Sequence, residues 1–560
     1  MFRDTIVRAI ARHTKLSAAD IDNLLEVPPN AELGDFAFPC FVLAKQQKKN
    51  PVQIAQQIAA MTVPDGVSKI TAVGPYVNFF VDKTVSSAGH LPAARKEKYG
   101  SSHDGVSIVI EYCGPNTNKP LHLGHLRNMA IGGFLCRTYD FLGNVVHPVN
   151  IVNDRGIHIC QSMLAYQKWG KGKKPDKKSD HFVGDYYVLF AQELKKNPAF
   201  EKEAQELLLR WERNDKEVRA LWKKMNQWVL RGFVETYKRF GVSFEKEYFE
   251  SDLYEKGKDV AFEGLKQSVF FKDDKKSIVA PLESYGLPNK VILRGDGTSV
   301  YITQDLYLAE QRFKDFKYDK CLYVVASEQR LHFQQLFKIL ELLQRSFAQR
   351  LVHVSYGLVN LPSGRMKSRE GTVVDADDLI DEVVLLAHDE VKTRYPSLEE
   401  KERNRRAEAI GLAALKFYLL KIDPVRDIVY DPKESLHFEG ETGPYVQYTH
   451  ARACSILKKA GQIKKKIKYE LLKEPQEHAL VQLIASFPAV VRESAQQYKP
   501  HLLCRYVLDL SQAFNDFYHA HKVISEDKDM MSVRLVLVDA VRQVLKNGLM
   551  LLGIEALEEM

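Results

Sequence analysis

No C-x-x-C pair occurs among the seven cysteines of this chain, Cys40, Cys113, Cys136, Cys160, Cys321, Cys454 and Cys504. An odd number of widely scattered thiols argues against a disulfide framework and a zinc knuckle, and suits reduced core cysteines. Long apolar runs are missing as well. The best candidate, Leu535 to Ile554, is interrupted by Asp539, Arg542, Lys546 and Asn547, so no stretch reaches the roughly 18 uncharged apolar residues of a spanning helix. The opening MFRDTIVRAIARHTKL carries both charge signs and lacks the apolar centre of a secretory signal. A cytoplasmic protein with no membrane partner is the expectation. Several catalytic strings are absent too: G-x-x-x-x-G-K-[ST], H-E-x-x-H, G-x-S-x-G, the kinase set, and G-x-G-x-x-G opening a helix. Nucleotide chemistry, if present, uses another device. No repeat of fixed period is found.

What is present is ordinary globular composition. The 560 residues are 45% apolar and 27% charged, which excludes disordered and membrane classes. At roughly 150 residues per domain the length implies about three to four domains. Lys and Arg total 80 against 72 Asp and Glu, a net +8, which permits a polyanionic partner without requiring one. Two basic runs, Lys168 to Lys178 and Lys458 to Lys468, read as solvated faces when taken alone.

Three textures divide the chain. Residues 1–104 form a small α+β unit holding ELGDFAFPCFVLAK (Glu32 to Lys45) and the strand-like YVNFFVD. From Val106, VSIVIEYC reads as a buried parallel strand, a Pro/Gly-rich turn leads into the helical LRNMAIGGFLCRTYDFLG, and VVHPVNIV follows as a second strand. Strand, turn, helix, strand begins a doubly wound Rossmann-type α/β sheet. Residues about 165–290 look like an insertion with long helices. Strand character returns at KCLYVVAS and LVHVSYG, and beyond about 376 the pattern is helical. The expected domains are 1–104, 105–435 for the sheet with its insertion and helical stem, and 436–560 as a helical bundle.

The chemistry concentrates in EYCGPNTNKPLHLGHLRN, Glu111 to Asn128. It lies at the carboxyl end of the first strand and the start of the next helix, where α/β sheets place ligands and where a helix N-terminus favours phosphate. His122 and His125 are imidazole donors for oxyanions, and Gly124 admits a nucleotide close to the backbone.

HLGH resembles the HIGH motif of class I aminoacyl-tRNA synthetases, and PNTNKPLHLGHLRN resembles the arginyl-tRNA synthetases specifically. A second string, LPSGRMKSREGTVV (361–374), is similar to that family's form of the KMSKS loop. The likeness extends through ELGDFAFPCFVLAK and GPYVNFF near the start, and through GPYVQYTHAR (Gly443 to Arg452) and LLGIEALEEM near the end. It therefore covers nearly the whole chain.

The resemblance implies an arginine–tRNA ligase with ATP as substrate, Mg2+ on its phosphates, and no zinc and no dedicated protein metal site. Pro120, Leu121, His122, Leu123, Gly124 and His125 would line the ATP site with Met366 and Ser368. The second motif departs from the pattern: with Met366 aligned to the motif's methionine, Arg365 takes the first lysine, Lys367 a serine and Ser368 the second lysine. Lys119, just before the first motif, would supply the missing charge on pyrophosphate, with Lys367 or Arg369 as alternatives. Arginine recognition would fall to Glu111, Asn116, Tyr301, Asp305 and Gln329, with Asp305 on the guanidinium, since a rigid five-donor fork needs carboxylates. Tyr301 and Asp305 are one helical turn apart, so both can face one cavity. Asn153 is a further candidate, although a tight turn explains it and Asp154 equally well. His158 packs near the pocket or is structural. Tyr445, Tyr448 and Arg452, with His450 between them and the basic run behind, would suit stacking on loop bases of tRNA(Arg). The first unit would touch the outer corner of the tRNA, and a monomer is expected. Two alternatives remain: a catalytically silent tRNA-binding paralogue, and a HIGH-type nucleotidyltransferase acting on a small molecule.

Overall fold

The computed structural model describes residues 2–28, 30–360, 374–431 and 440–560. The chain divides into two compact units, one of Met1–Tyr99, Ala453–Ser486 and Gln512–Val544, the other of Gly100–Arg452, Phe487–Ser511 and Leu545–Met560. All seven cysteines are free and five are buried. Among the described residues no helix is long and apolar enough to cross a membrane.

The first unit begins with the helix Phe2–His13, whose buried Phe2, Ile6, Val7 and Ile10 recur at helical spacing. Three antiparallel strands, β1 (Phe36–Pro39), β2 (Val67–Val73) and β3 (Tyr76–Val81), run in the order β1-β3-β2. Phe38 and Phe79 are fully buried in one core with Ile6 and Ile10. Asp35, within the ELGDFAFPC string, accepts a 2.7 Å bond from Val81 N through Oδ2 and so joins β1 to β3.

The second unit holds a five-stranded, all-parallel sheet: β4 (Ser107–Glu111), β5 (Val145–Val152), β6 (Lys246–Phe249), then, after a small antiparallel sheet of β7 (Phe271–Lys272), β8 (Ile278–Ala280) and β9 (Lys290–Leu293), β10 (Lys320–Ala326) and β11 (Leu351–Tyr356). The order is β11-β10-β4-β5-β6. The chain enters at the central β4, proceeds outward to β6, and returns to the other side of β4, so the order reverses between β4 and β10. A crevice outside the carboxyl ends of these two strands is the expected ligand position. A short parallel pair, β12 (Val359–Asn360) and β13 (Ile428–Val429), lies beyond.

The insertion expected over about 165–290 is interrupted by the sheet itself. KEYF pairs with Val149 to Val152 and forms edge strand β6. Two charged residues in four hide it in the sequence, because an edge strand does not need a continuous apolar run. The long helical stretch before it is two helices, Ala199–Glu212 and Lys216–Phe240. Between them Asn214 has φ 58°, and Asp215 caps the second helix by accepting from Glu217 N and Val218 N.

Candidate active site

After β4 the backbone turns sharply. Cys113 has φ 82° and Gly114 φ 65°, a left-handed pair that costs conformational energy at a non-glycine residue. Side chains hold it in place: Cys113 N donates to Asn128 Oδ1 at 2.6 Å and Gly114 N to Asn150 Oδ1 at 3.0 Å. Asn128 in turn donates to Val324 O on β10 and to the Tyr356 hydroxyl oxygen at the end of β11. The turn is thereby tied to both strands across the crevice.

His122 caps the helix Leu123–Phe141. Its Nδ1 accepts from Gly124 N at 3.2 Å, and His125 Nδ1 accepts from His122 N at 3.1 Å. Both imidazoles therefore carry their proton on Nε2, an assignment that follows from the hydrogen-bond network. The two rings lie 3.9 Å apart. Burial and the nearby Lys119 ammonium pull His122 down to about 3. Burial, His122 and Lys119 together hold His125 well below its ordinary value. Both rings are neutral donors at neutral pH. Lys119 is itself lowered by burial. Pro120 packs close to Gly184 of the helix Ser179–Lys196, and Leu121 and Leu123 are fully buried.

The sequence gives Gly124 the part of admitting the nucleotide close to the backbone. A Cβ there would stand 3.0 Å from His122 Cε1 and 3.1 Å from Nδ1, so the space it leaves is taken by the His122 ring. The strip around His122 also pairs with the last residue of the second signature and the chain after it: Leu123 N donates to Val374 O and Ala376 N to Leu121 O.

The acidic candidates sit at neighbouring strand ends. Glu111, buried at the end of β4, is paired with the fully buried Arg312, whose guanidinium lies over Tyr248 and Tyr323. Its charge is thus compensated by the chain's own arginine, which weakens its expected role toward a substrate guanidinium. Asp305 Oδ2 lies 2.7 Å from His332 Nε2. Tyr301, at the start of the same helix Tyr301–Phe316, is 79% exposed, so the two do not share one enclosed surface. Gln329 is exposed in the turn after β10. Asn116 and Asn153 are bridged through their backbones, which joins the two strand-end loops. Asp154 accepts from Ser251 N and Ser251 Oγ, so its carboxylate fastens the end of β5 to the chain after β6. His158 is exposed, with Nδ1 3.2 Å from Gln161 Oε1.

Glu250 was not singled out in the sequence. It follows β6 directly and is 8% exposed. Burial raises it to about 7, Arg155 opposes the rise, and Asp154 and Asp305 add to it. The buried Gln304 amide bonds to it. An isolated glutamate after a charged edge strand carries no motif, and only the parallel sheet brings it near Asp305.

Tyr445, Tyr448 and Arg452 share a stripe of the helix Gly443–Ala460 and are half-buried. Arg452 Nη2 donates to the Tyr448 hydroxyl oxygen at 3.0 Å. His450 does not belong with them: it is fully buried, its Nδ1 2.8 Å from Leu557 O. Arg365, Met366, Lys367, Ser368 and Arg369 of the second signature lie outside the described residues.

A parallel sheet that reverses at its first strand, with two imidazoles on the following helix N-terminus, is the arrangement of a nucleotide-binding α/β domain, and the comparisons with known proteins place it in class I of the aminoacyl-tRNA synthetases. The family model described as tRNA synthetases class I (R), catalytic domain, matches residues 91–431. An arginyl tRNA synthetase N terminal domain model matches residues 1–81, and a DALR anticodon binding domain model matches 446–560. The chain belongs to the arginyl-tRNA synthetase family. It is 44% identical to an arginine–tRNA ligase of Treponema pallidum, over 100% of this chain and 99% of the relative, and 45% identical to one of Treponema denticola over 96% and 94%. The solved structure of Thermus thermophilus arginyl-tRNA synthetase superposes with a TM-score of 0.86 at 27% identity, covering 100% of both chains.

Proposed function

We propose that this chain activates L-arginine with ATP and passes the arginyl group to the 3'-terminal adenosine of tRNA(Arg), releasing pyrophosphate and AMP. The observation that carries the reading is the pair of neutral imidazoles at the helix N-terminus, each with Nδ1 bound to backbone and Nε2–H left to donate. A carboxylate oxygen of arginine attacks the α-phosphorus of ATP, and the bond to pyrophosphate breaks. No protein nucleophile takes part. His122 and His125 donate to phosphate oxygens as charge builds, at no cost of desolvating a cation, and the helix N-terminus adds its partial positive charge. Lys119 covers the leaving pyrophosphate, supported by its closeness to both imidazoles. Mg2+ would enter on the ATP phosphates.

Arginine is oriented by Asp305 and by Glu250, which ionises as the guanidinium arrives. Residues 436–560 contact the anticodon, through Tyr445, Tyr448 and Arg452; the DALR anticodon binding domain model that matches 446–560 supports the anticodon contact. Residues 1–104 contact the outer corner of the tRNA. The working unit is a cytoplasmic monomer. Arginine-dependent ATP–pyrophosphate exchange, run with and without tRNA, tests the reading. Exchange that depends on arginine and strengthens with tRNA is expected. Strong exchange with another amino acid, or none with arginine, would defeat it.

A further inference from the structure

Asp35 of the ELGDFAFPC string serves two partners at once. Its backbone N donates to Phe79 O at 2.8 Å and its Oδ2 accepts from Val81 N at 2.7 Å, so the residue is locked onto strand β3. Gly34 before it has φ 99°, and a Cβ there would stand 2.8 Å from Phe79 O, so the turn can lie this close to the strand only with glycine. The other carboxylate oxygen, Oδ1, accepts from Gln482 Nε2. Gln482 belongs to the helix Pro475–Gln496 of the helical bundle.

A second tie forms where the helix Lys83–Ala94 runs out. Arg95 Nε lies 2.5 Å from Asp539 Oδ2 on the helix Lys528–Leu551, and Arg542 Nε and Nη2 hold Asp539 Oδ1 at 3.0 and 2.9 Å. Four residues further on, the Tyr99 hydroxyl donates to Ile484 O at 3.0 Å, and burial raises that hydroxyl to about 12. Asp35 and Tyr99 therefore reach one helix of the bundle, although their partners are 447 and 385 residues away in the chain. Met1–Tyr99, Ala453–Ser486 and Gln512–Val544 accordingly fall in one compact unit.

Two different domain models meet in that unit, the arginyl tRNA synthetase N terminal domain and the DALR anticodon binding domain. A nucleic acid that touched both halves would meet two surfaces whose spacing is set before it arrives. Such spacing makes the second contact at high effective concentration, and whole-ligand affinity gains without any new contact. Gln482 and Arg95 are exposed, and exposed polar pairs add little to stability. What they govern is where one half stands against the other.

We propose that Asp35, Gln482, Arg95 and Asp539 are positioning residues for tRNA, bracing the first domain against the helical bundle so that the outer corner and the anticodon loop are met at one spacing. This rests on the reading that both halves contact tRNA.

The test compares binding of whole tRNA(Arg) and of its isolated anticodon stem-loop to the full chain, for the parent, Gln482→Leu, Asp539→Asn, the two combined, and Arg95→Lys. The combined variant should bind whole tRNA about tenfold or more weakly, with stem-loop affinity within about twofold of the parent's. At saturating tRNA its kcat and its KM for arginine should stay near the parent's. Asp539→Asn alone carries the sharper sign: removing a negative charge would by charge alone tighten a polyanion, whereas loss of the brace weakens it. Arg95→Lys, which keeps a cation for Asp539, should retain most of the affinity. Tighter whole-tRNA binding in Asp539→Asn, unchanged binding in the combined variant, or an equal loss for tRNA and stem-loop would overturn the inference. A parent chain that binds neither RNA would instead defeat the functional reading, and this inference with it.

Discussion

His332 Nε2 stands 2.7 Å from Asp305 Oδ2, so the carboxylate proposed for the substrate guanidinium is held by an imidazole from the next helix. Asp305→Ala should raise KM for arginine by about 100-fold or more, equivalent to about 2.7 kcal/mol, as expected for a desolvated charge-assisted pair. His332→Ala should raise it less, because the charge stays and only its aim is lost. Exchange kinetics with varied arginine decide this. An unchanged KM in Asp305→Ala would remove Asp305 from the pocket.

Glu250, raised by burial to about 7, is protonated and neutral below that value and ionised above it. A cationic side chain binds the ionised form better, so arginine affinity should climb as pH rises from about 6 to about 8, by up to about tenfold per unit on the acid side. Binding near neutrality should release a proton, which calorimetry in buffers of unlike ionisation heat measures directly. Glu250→Gln should weaken binding and flatten the pH profile; a profile identical to the parent's would exclude this group.

His122→Ala should slow activation by about 100- to 1,000-fold, the usual loss for one oxyanion donor, while tRNA affinity stays close to the parent's. Gly124→Ala should act on the same ring indirectly, since the added methyl meets His122 at 3.0 Å. Slower exchange with a nearly unchanged melting temperature is the expected result. Full activity in Gly124→Ala would mean that the ring position is not critical.

Binding of tRNA should weaken steeply with salt through counterion release. In the basic run Lys464 and Lys468 are committed to Asp529, whereas Lys465 and Lys466 are exposed. Replacing Lys465 and Lys466 by alanine should reduce the log–log slope by about one for each phosphate that no longer has a lysine to neutralise it. A slope that does not change would leave this run without a role in tRNA binding.

Much of the sheet could be read from sequence because β4, β5, β10 and β11 are apolar runs, while β6 escaped notice because its KEYF is half charged and lies at an edge. The first signature draws attention to His122 and His125, yet not to each Nδ1 being spent on backbone, which leaves Nε2–H as the donor that the proposed phosphate contact needs. Lys178 was hidden for a different reason. A basic run looks solvated from within, and besides Asp180 nearby, the Lys178 ammonium bonds Asp377, which is 199 residues away. Glu250 and His332 become visible only once parallel strand ends converge, since neither belongs to a spaced motif.

Ser107 N donates to Asp319 Oδ2 across 212 residues of chain, which means that one flank of the central strand waits for a partner made much later. At about 5–20 residues per second, a ribosome takes on the order of 10–40 s to deliver that partner. During that interval the nascent chain carries an open parallel edge, the kind of surface that recruits holding chaperones or sticks to its neighbours. A slow codon cluster shortly before Lys320 would prolong this exposure, so the yield of active protein should depend on translation speed there as well as on the finished fold.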